Sequence, residues 1–155
     1  MTHQTLNDVV INKVQSLQRC VSRARETYRD ADESFETDYL HQDAAILNII
    51  RACEQAIDLA NYTIRVHKLG IPTSSAESFE LLAQAQIIDR ELLKRMKGIV
   101  GFRNLAVHQY TELDINIVEA IITSELDDLL AFGRVILAFL TESSRTEGTS
   151  PPDSR

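Results

Sequence analysis

The sequence predicts an all-α protein, an up-and-down bundle of four main helices plus one short helix. Three observations carry that reading. Apolar residues recur over long runs at alternating steps of three and four. Turn formers are scarce, with 5 Gly and 3 Pro in 155 residues. No stretch shows a strand-like alternation that outcompetes the helical pattern. A chain of this length makes one domain, able to bury about 68–70% of its unfolded surface.

The first helix is read from Val10, Val14, Leu17, Val21, Ala24 and Tyr28, which share one face. A polar, acidic connection follows from about Asp30 to Thr37. The second helix carries Ile46, Ile50, Cys53, Ile57, Ala60 and Ile64. It is expected to span Asp38 to Leu69, about 48 Å at 1.5 Å per residue, and to stop at Gly70 in a left-handed cap with Pro72 beyond. Ser74 and Glu77 fit a capping box at the start of a short helix bearing Phe79 and Leu82 and running to about Ala85. Asp89 caps a fourth helix whose seam is Leu92, Met96, Ile99 and Ala106. Asp114 opens the last, with the stripe Ile115, Val118, Ile122, Leu129, Phe132, Ile136 and Phe139. The helical domain is expected over residues 1–141, and residues 142–155, with nothing to bury, as a disordered tail.

Composition excludes several classes. Two cysteines make no disulfide scaffold and sit at no zinc-finger spacing. Cys20 lies beside the first apolar stripe and Cys53 within the second, and both read as buried, inert thiols. No Glu-x-x-His pair supports a di-metal bundle, and no glycine-rich phosphate loop is present. No cofactor and no metal site is expected. No apolar run reaches the length of a membrane span, and the N-terminus lacks the basic-then-apolar layout of a signal peptide. The expected location is cytoplasmic.

The formal net charge is -7, unevenly placed. Residues 30–43 hold six carboxylates and no Lys or Arg, as do residues 112–128. By contrast, 8–29 and 89–110 each hold five bases against two acids. A chain this acidic binds nucleic acid only through a local basic patch.

The seam of the fourth helix breaks at Arg103. Continuing Leu92, Met96, Ile99 lands on a guanidinium, which in a core register must be paired or must snorkel to solvent. Gly98 and Gly101 just before it suggest a close backbone approach or a bend. Then comes Arg103-Asn104-Leu105-Ala106-Val107-His108-Gln109-Tyr110. Arg, four residues, His, one residue, Tyr resembles the active-site signature of HEPN-domain ribonucleases, specifically the HepT-type toxins. Arg-x4-His alone is weakly specific. Asn104 behind the arginine, Tyr110 two after the histidine, and the lead-in Met96-Lys97-Gly98-Ile99-Val100-Gly101-Phe102 strengthen the likeness. It extends over roughly residues 6–140, through Ile46-Leu47-Asn48, Arg51-Ala52-Cys53-Glu54 and Leu69-Gly70-Ile71-Pro72.

The resemblance implies a homodimeric HEPN-like fold and a toxin that cleaves cellular RNA, with tRNA the favoured substrate. It also implies an MntA-like nucleotidyltransferase antitoxin that silences the toxin by placing AMP on Tyr110. The residue chemistry suits metal-independent cleavage. Histidine moves protons near neutrality, and arginine offers a fork of donors to phosphate. Five residues place Arg103 and His108 about 140° apart on a straight helix. Either the helix bends or ends before His108, or a second copy completes the site. Asn104, four before His108, is expected to orient the imidazole. His3, His41 and His67 read as cap or dipole partners. Arg51 and Glu54 can reach the cleft or pair with each other on the surface. The alternative reading is a non-catalytic helical module that binds a nucleotidyltransferase, with the acidic blocks as its contact face.

Overall fold

The computed structural model describes residues 3–148, with side chains placed for residues 8–146. Among the described residues the chain is helical throughout, without strands. Its elements are α1 (His3–Ala31), α2 (Tyr39–His67), α3 (Ser75–Gln84), α4 (Arg90–His108), α5 (Ile115–Ala120) and α6 (Leu126–Gly148). A π turn over Ile121–Glu125 joins α5 to α6 in one rod, so the bundle has four main helices and the short α3. Helix α2 is central and packs on α1, α3, α4 and α6. None of the helices is long and apolar enough to cross a membrane.

The expected stripes build the core. Val10, Val14, Leu17, Val21 and Ala24 of α1 are buried against Ile46, Cys53, Ile57, Ala60 and Ile64 of α2. Phe79, Leu82, Met96, Ile99, Leu129, Phe132 and Ile136 complete the interior. Phe79 and Phe132 meet edge to face, ring centres 5.2 Å apart. Cys20 and Cys53 are buried free thiols, and burial pushes the Cys53 thiol up to about 12.

Helix starts follow the sequence. The carboxylate of Asp38 accepts from His41 N–H at 3.1 Å, that of Asp89 from Leu92 N–H at 2.7 Å and that of Asp114 from Asn116 N–H at 2.9 Å. Ser74 Oγ accepts from Glu77 N–H at 3.1 Å, but the capping box is only half made. The Glu77 carboxylate accepts from Thr73 Oγ1 at 2.5 Å instead of from the backbone N–H of Ser74.

Four details depart from the sequence reading. Helix α2 ends at His67, and Lys68, not Gly70, takes the left-handed cap at φ 53°. The bond from Leu69 N–H to Ile64 O, 3.0 Å, offsets the conformational cost. Gly70 is still required, at φ +137° and with Leu81 3.4 Å from where a Cβ would stand. The acidic connection is not merely polar. After a 3-10 turn at Asp32–Ser34, Phe35 is only 1% exposed, packed edge to face on Tyr28 at 4.9 Å. Helix α4 runs unbroken through Gly98 and Gly101. No atom stands within 4 Å of a Cβ built at either, so the expected close approach is not made among the described residues. The last helix continues to Gly148, past the point where a disordered tail was expected. There Ser143 Oγ meets His67 Nε2 at 3.2 Å, and just before it the Phe139 ring lies tilted against the His67 ring, centres 4.8 Å apart. Residues 149–155 of that expected tail lie outside the described residues.

The opposed charge blocks meet one another. Arg25 pairs with Asp127 at 2.6 Å and Arg95 with Asp128 at 2.8 Å, while Lys97 pairs outside the acidic blocks with Glu80 of α3 at 2.6 Å. These pairs are partly or largely exposed, and each adds only a few tenths of a kcal/mol up to about 1 kcal/mol. Aromatic burial weighs more. Phe35→Ala is expected to destabilise the domain by about 3–5 kcal/mol in urea or thermal unfolding, and a loss below about 1 kcal/mol would mean Phe35 does not anchor the α1–α2 connection.

Candidate active site

The site forms where the C-terminal end of α4 lies on α2. The apolar seam of α4 turns its Arg103 face towards α2, and the guanidinium remains about a quarter exposed. Its Nη1 donates to Asn104 Oδ1 at 3.0 Å, and Nη2 lies 3.7 Å from Glu54 Oε1. Its Nε is buried without a hydrogen-bond partner. Arg103 is thus the paired, snorkelling cation that its register demanded. Nη1 makes one close bond and Nε is buried, so the remaining Nη hydrogens are the part of the fork open to an anion.

Helix α4 ends at His108, whose side chain is exposed. Gln109 caps the helix at φ −136° and donates its N–H to Leu105 O at 2.8 Å. The chain then tightens into a 3-10 turn over Tyr110–Glu112, held by Glu112 N–H to Gln109 O at 3.0 Å and Leu113 N–H to Tyr110 O at 3.2 Å. Tyr110 stands on this turn past the helix end, as expected of a reachable residue, and is 42% exposed. Its hydroxyl donates a short hydrogen bond to Asp43 Oδ1 on α2. The pair lines a cavity of about 280 Å³ with Tyr39, Gln42, Ile46, Thr111, Leu113, Ile115 and Val118. Partial burial, together with the Asp43 carboxylate beside it, pushes the Tyr110 phenol up to about 12.

With this arrangement in place, a family model described as "Ribonuclease HepT-like" matches residues 17–136. The chain belongs to the HepT-like ribonuclease family. It is 44% identical over 133 residues to a protein of Shewanella oneidensis named mRNA nuclease HepT, covering 86% of this chain and 99% of that one. It is 31% identical over 87 residues to a protein of Aphanizomenon flos-aquae named tRNA nuclease HepT, covering 56% and 59%. Among solved structures it superimposes with a TM-score of 0.80 and 44% identity on the tri-AMPylated HEPN toxin of Shewanella oneidensis in complex with its MNT antitoxin, covering 84% of this chain and 98% of that one. A toxin–antitoxin complex with AMP-PNP matches with a TM-score of 0.79 and 43% identity, covering 83% and 98%.

In this HepT-like chain the four motif residues occupy one end of the bundle, but α4 stays helical through both Arg103 and His108. The angle of about 140° between them is therefore kept, and one chain does not bring the two onto a single phosphate. The Asn104 side chain bonds to Arg103 instead of orienting His108. The long arginine can fold over its neighbour's amide, whereas no corresponding contact joins Asn104 to the helix-end imidazole. Glu54 reaches Arg103 and does not pair with Arg51. Asp43 was missed. Its signal was its position, because Asp43 and Glu54 stand eleven residues apart on α2, three turns along nearly one face.

The phenol makes a direct check. Tyr110 loses its proton near pH 12 instead of near 10, and ionisation removes the hydrogen that Asp43 accepts, leaving two anions in contact. An absorbance titration of the tyrosines is expected to show a late component that Tyr110→Phe removes. If the variant's titration matches the parent's above pH 11, the Tyr110–Asp43 bond is not formed in solution.

Proposed function

We propose that this HepT-like ribonuclease is a toxin that works in the cytoplasm as a homodimer, cutting RNA without a metal ion, and that a nucleotidyltransferase antitoxin silences it by placing AMP on Tyr110. The observation that carries the reading is the half-buried Arg103 fork, open to an anion, on the same helix whose end exposes His108 next to Tyr110. The names of the relatives, nucleases and an AMPylated toxin bound to its antitoxin, point the same way.

Cleavage by this pair is a transesterification. The 2′-oxygen attacks the adjacent phosphorus, its proton passes to a base, and the 5′-oxygen departs with a proton from an acid. The 2′,3′-cyclic phosphate and a 5′-hydroxyl remain. An imidazole suits either proton transfer near neutral pH, and Arg103 steadies the charge that grows on the non-bridging oxygens. The 140° separation is bridged when the second copy supplies the complementary residue across a shared cleft. Asn104 supports Arg103 by holding one arm of its fork. The chemistry assigned to His108 and Arg103 calls for no metal ion. The RNA class remains the point on which the two named nucleases differ, mRNA in one and tRNA in the other. The overall likeness is greater to the first, while tRNA is the class favoured from the sequence.

The test is cleavage of labelled tRNA and of an mRNA by the purified dimer in EDTA. Arg103→Ala and His108→Ala are each expected to lower the rate by about 10²-fold or more, and Asn104→Ala by less than Arg103→Ala. Products should carry cyclic phosphate ends. Full cleavage by either Ala variant, or activity abolished by EDTA, would overturn the assignment.

A further inference from the structure

We propose that Asp43 is the residue that positions the Tyr110 hydroxyl and takes its proton when AMP is transferred to it. The proposal rests on the reading of Tyr110 as the AMP acceptor, and adds a component on this chain to a reaction otherwise left to the transferase.

The argument begins with what the Tyr110 oxygen needs. A phenol attacks the α-phosphorus of ATP well only as its proton leaves. Forming the Tyr110 Oη–phosphorus bond breaks the bond from that phosphorus to the bridging oxygen of pyrophosphate. Pyrophosphate departs, and the phenolic proton must go to an acceptor. In this cavity a free phenolate has no support. Of the nine lining residues, Tyr39, Gln42, Asp43 and Ile46 come from α2, Tyr110 and Thr111 from the turn, Leu113 from just before α5, and Ile115 and Val118 from α5 itself. None is Lys, Arg or His, and Asp43 is the charged one. Its carboxylate already accepts the hydrogen bond of the attacking hydroxyl. The upward displacement of the phenol agrees with this picture, since it disfavours ionisation before attack. The proton therefore leaves as the new bond forms, along the hydrogen bond that exists in the unmodified protein.

The bond also aims the oxygen. Tyr110 lies on a 3-10 turn, where a side chain is held less firmly than on a helix. Asp43 is one turn into α2, on the central helix of the bundle. The contact ties the acceptor on the turn to the central helix across 67 residues of sequence, and placing a nucleophile in this way is itself a source of rate.

The test follows transfer of AMP from ATP labelled at the α-phosphate to the full chain, by its nucleotidyltransferase, in the parent and in Asp43→Asn, Asp43→Glu and Tyr110→Phe. Circular dichroism and co-purification with the transferase check fold and binding. Asp43→Asn keeps size and a hydrogen-bonding oxygen but cannot take the proton. Its transfer rate is expected to fall about 10²- to 10⁴-fold, to recover in part as pH rises and hydroxide removes the proton, and to be restored in part by Asp43→Glu. A parental rate in Asp43→Asn would overturn the proposal. So would an equal loss in Asn and Glu variants with no response to pH, which marks a structural role. Undiminished labelling of Tyr110→Phe would instead overturn Tyr110 as acceptor and leave the reading of the functional site, not that of Asp43, at fault.

Discussion

The constraint on which this end of the molecule depends is the contact of one face of α2 with the end of α4. Asp43 and Glu54, three turns apart, face Tyr110 and Arg103 respectively, so α2 ascends while α4 descends past it. Without that crossing Arg103 would be an unpaired cation in a core register, at a cost of several kcal/mol. With it, the guanidinium is placed but not saturated. Glu54 stands 3.7 Å away, too far for a strong hydrogen bond. It offsets the charge without occupying the fork. A tighter pair would stabilise the free protein more and compete with a phosphate for the same donors.

The same economy explains the acidic blocks. Five of the twelve carboxylates in residues 30–43 and 112–128 have partners within the chain. Asp38 and Asp114 cap helices, Asp127 and Asp128 pair with α1 and α4, and Asp43 holds Tyr110. Through Asp127 and Asp128 a continuous acidic face gives up part of its charge to ion pairs within the chain, while the capping carboxylates and Asp43 keep theirs. The basic blocks lose theirs in return, as Arg25, Arg95 and Lys97 are engaged by acids. Net charge said that RNA must be met locally, and the ion pairs show why a block of bases in sequence does not amount to a basic surface.

Most of the fold was legible because helical periodicity and caps are local. Four N-caps, Asp38, Ser74, Asp89 and Asp114, need only a side-chain oxygen and the next turn of backbone. What was hidden depends on contacts distant in sequence. Phe35 looks like a lone aromatic in an acidic loop until Tyr28 is beside it. The π turn at Ile121–Glu125 inserts an extra residue and so shifts the register of the buried stripe, which a fixed step of 100° cannot anticipate. At the candidate site, Arg103 was visible as a fault in a stripe and His108 and Tyr110 by their spacing. Asp43 and Glu54 had only their own helix to recommend them, and an acid on an exposed helix face is usually just solvated.

The position of Tyr110 gives its proposed modification two ways to act. Arg103 is seven residues back, about 10 Å along α4, whereas His108 shares the turn region with Tyr110. Replacing the phenolic hydrogen by AMP removes the donor that Asp43 accepts and sets an anionic phosphodiester where that hydrogen was. Attraction between α2 and the turn becomes repulsion between two anions across a partly desolvated gap, where charges are felt more strongly than in water. Asp43 belongs to the packed central helix, so the repulsion bears on the turn. A modification there therefore acts on the segment adjoining the imidazole as well as filling the space an RNA phosphate would enter, and it does so without requiring any change in the bundle core.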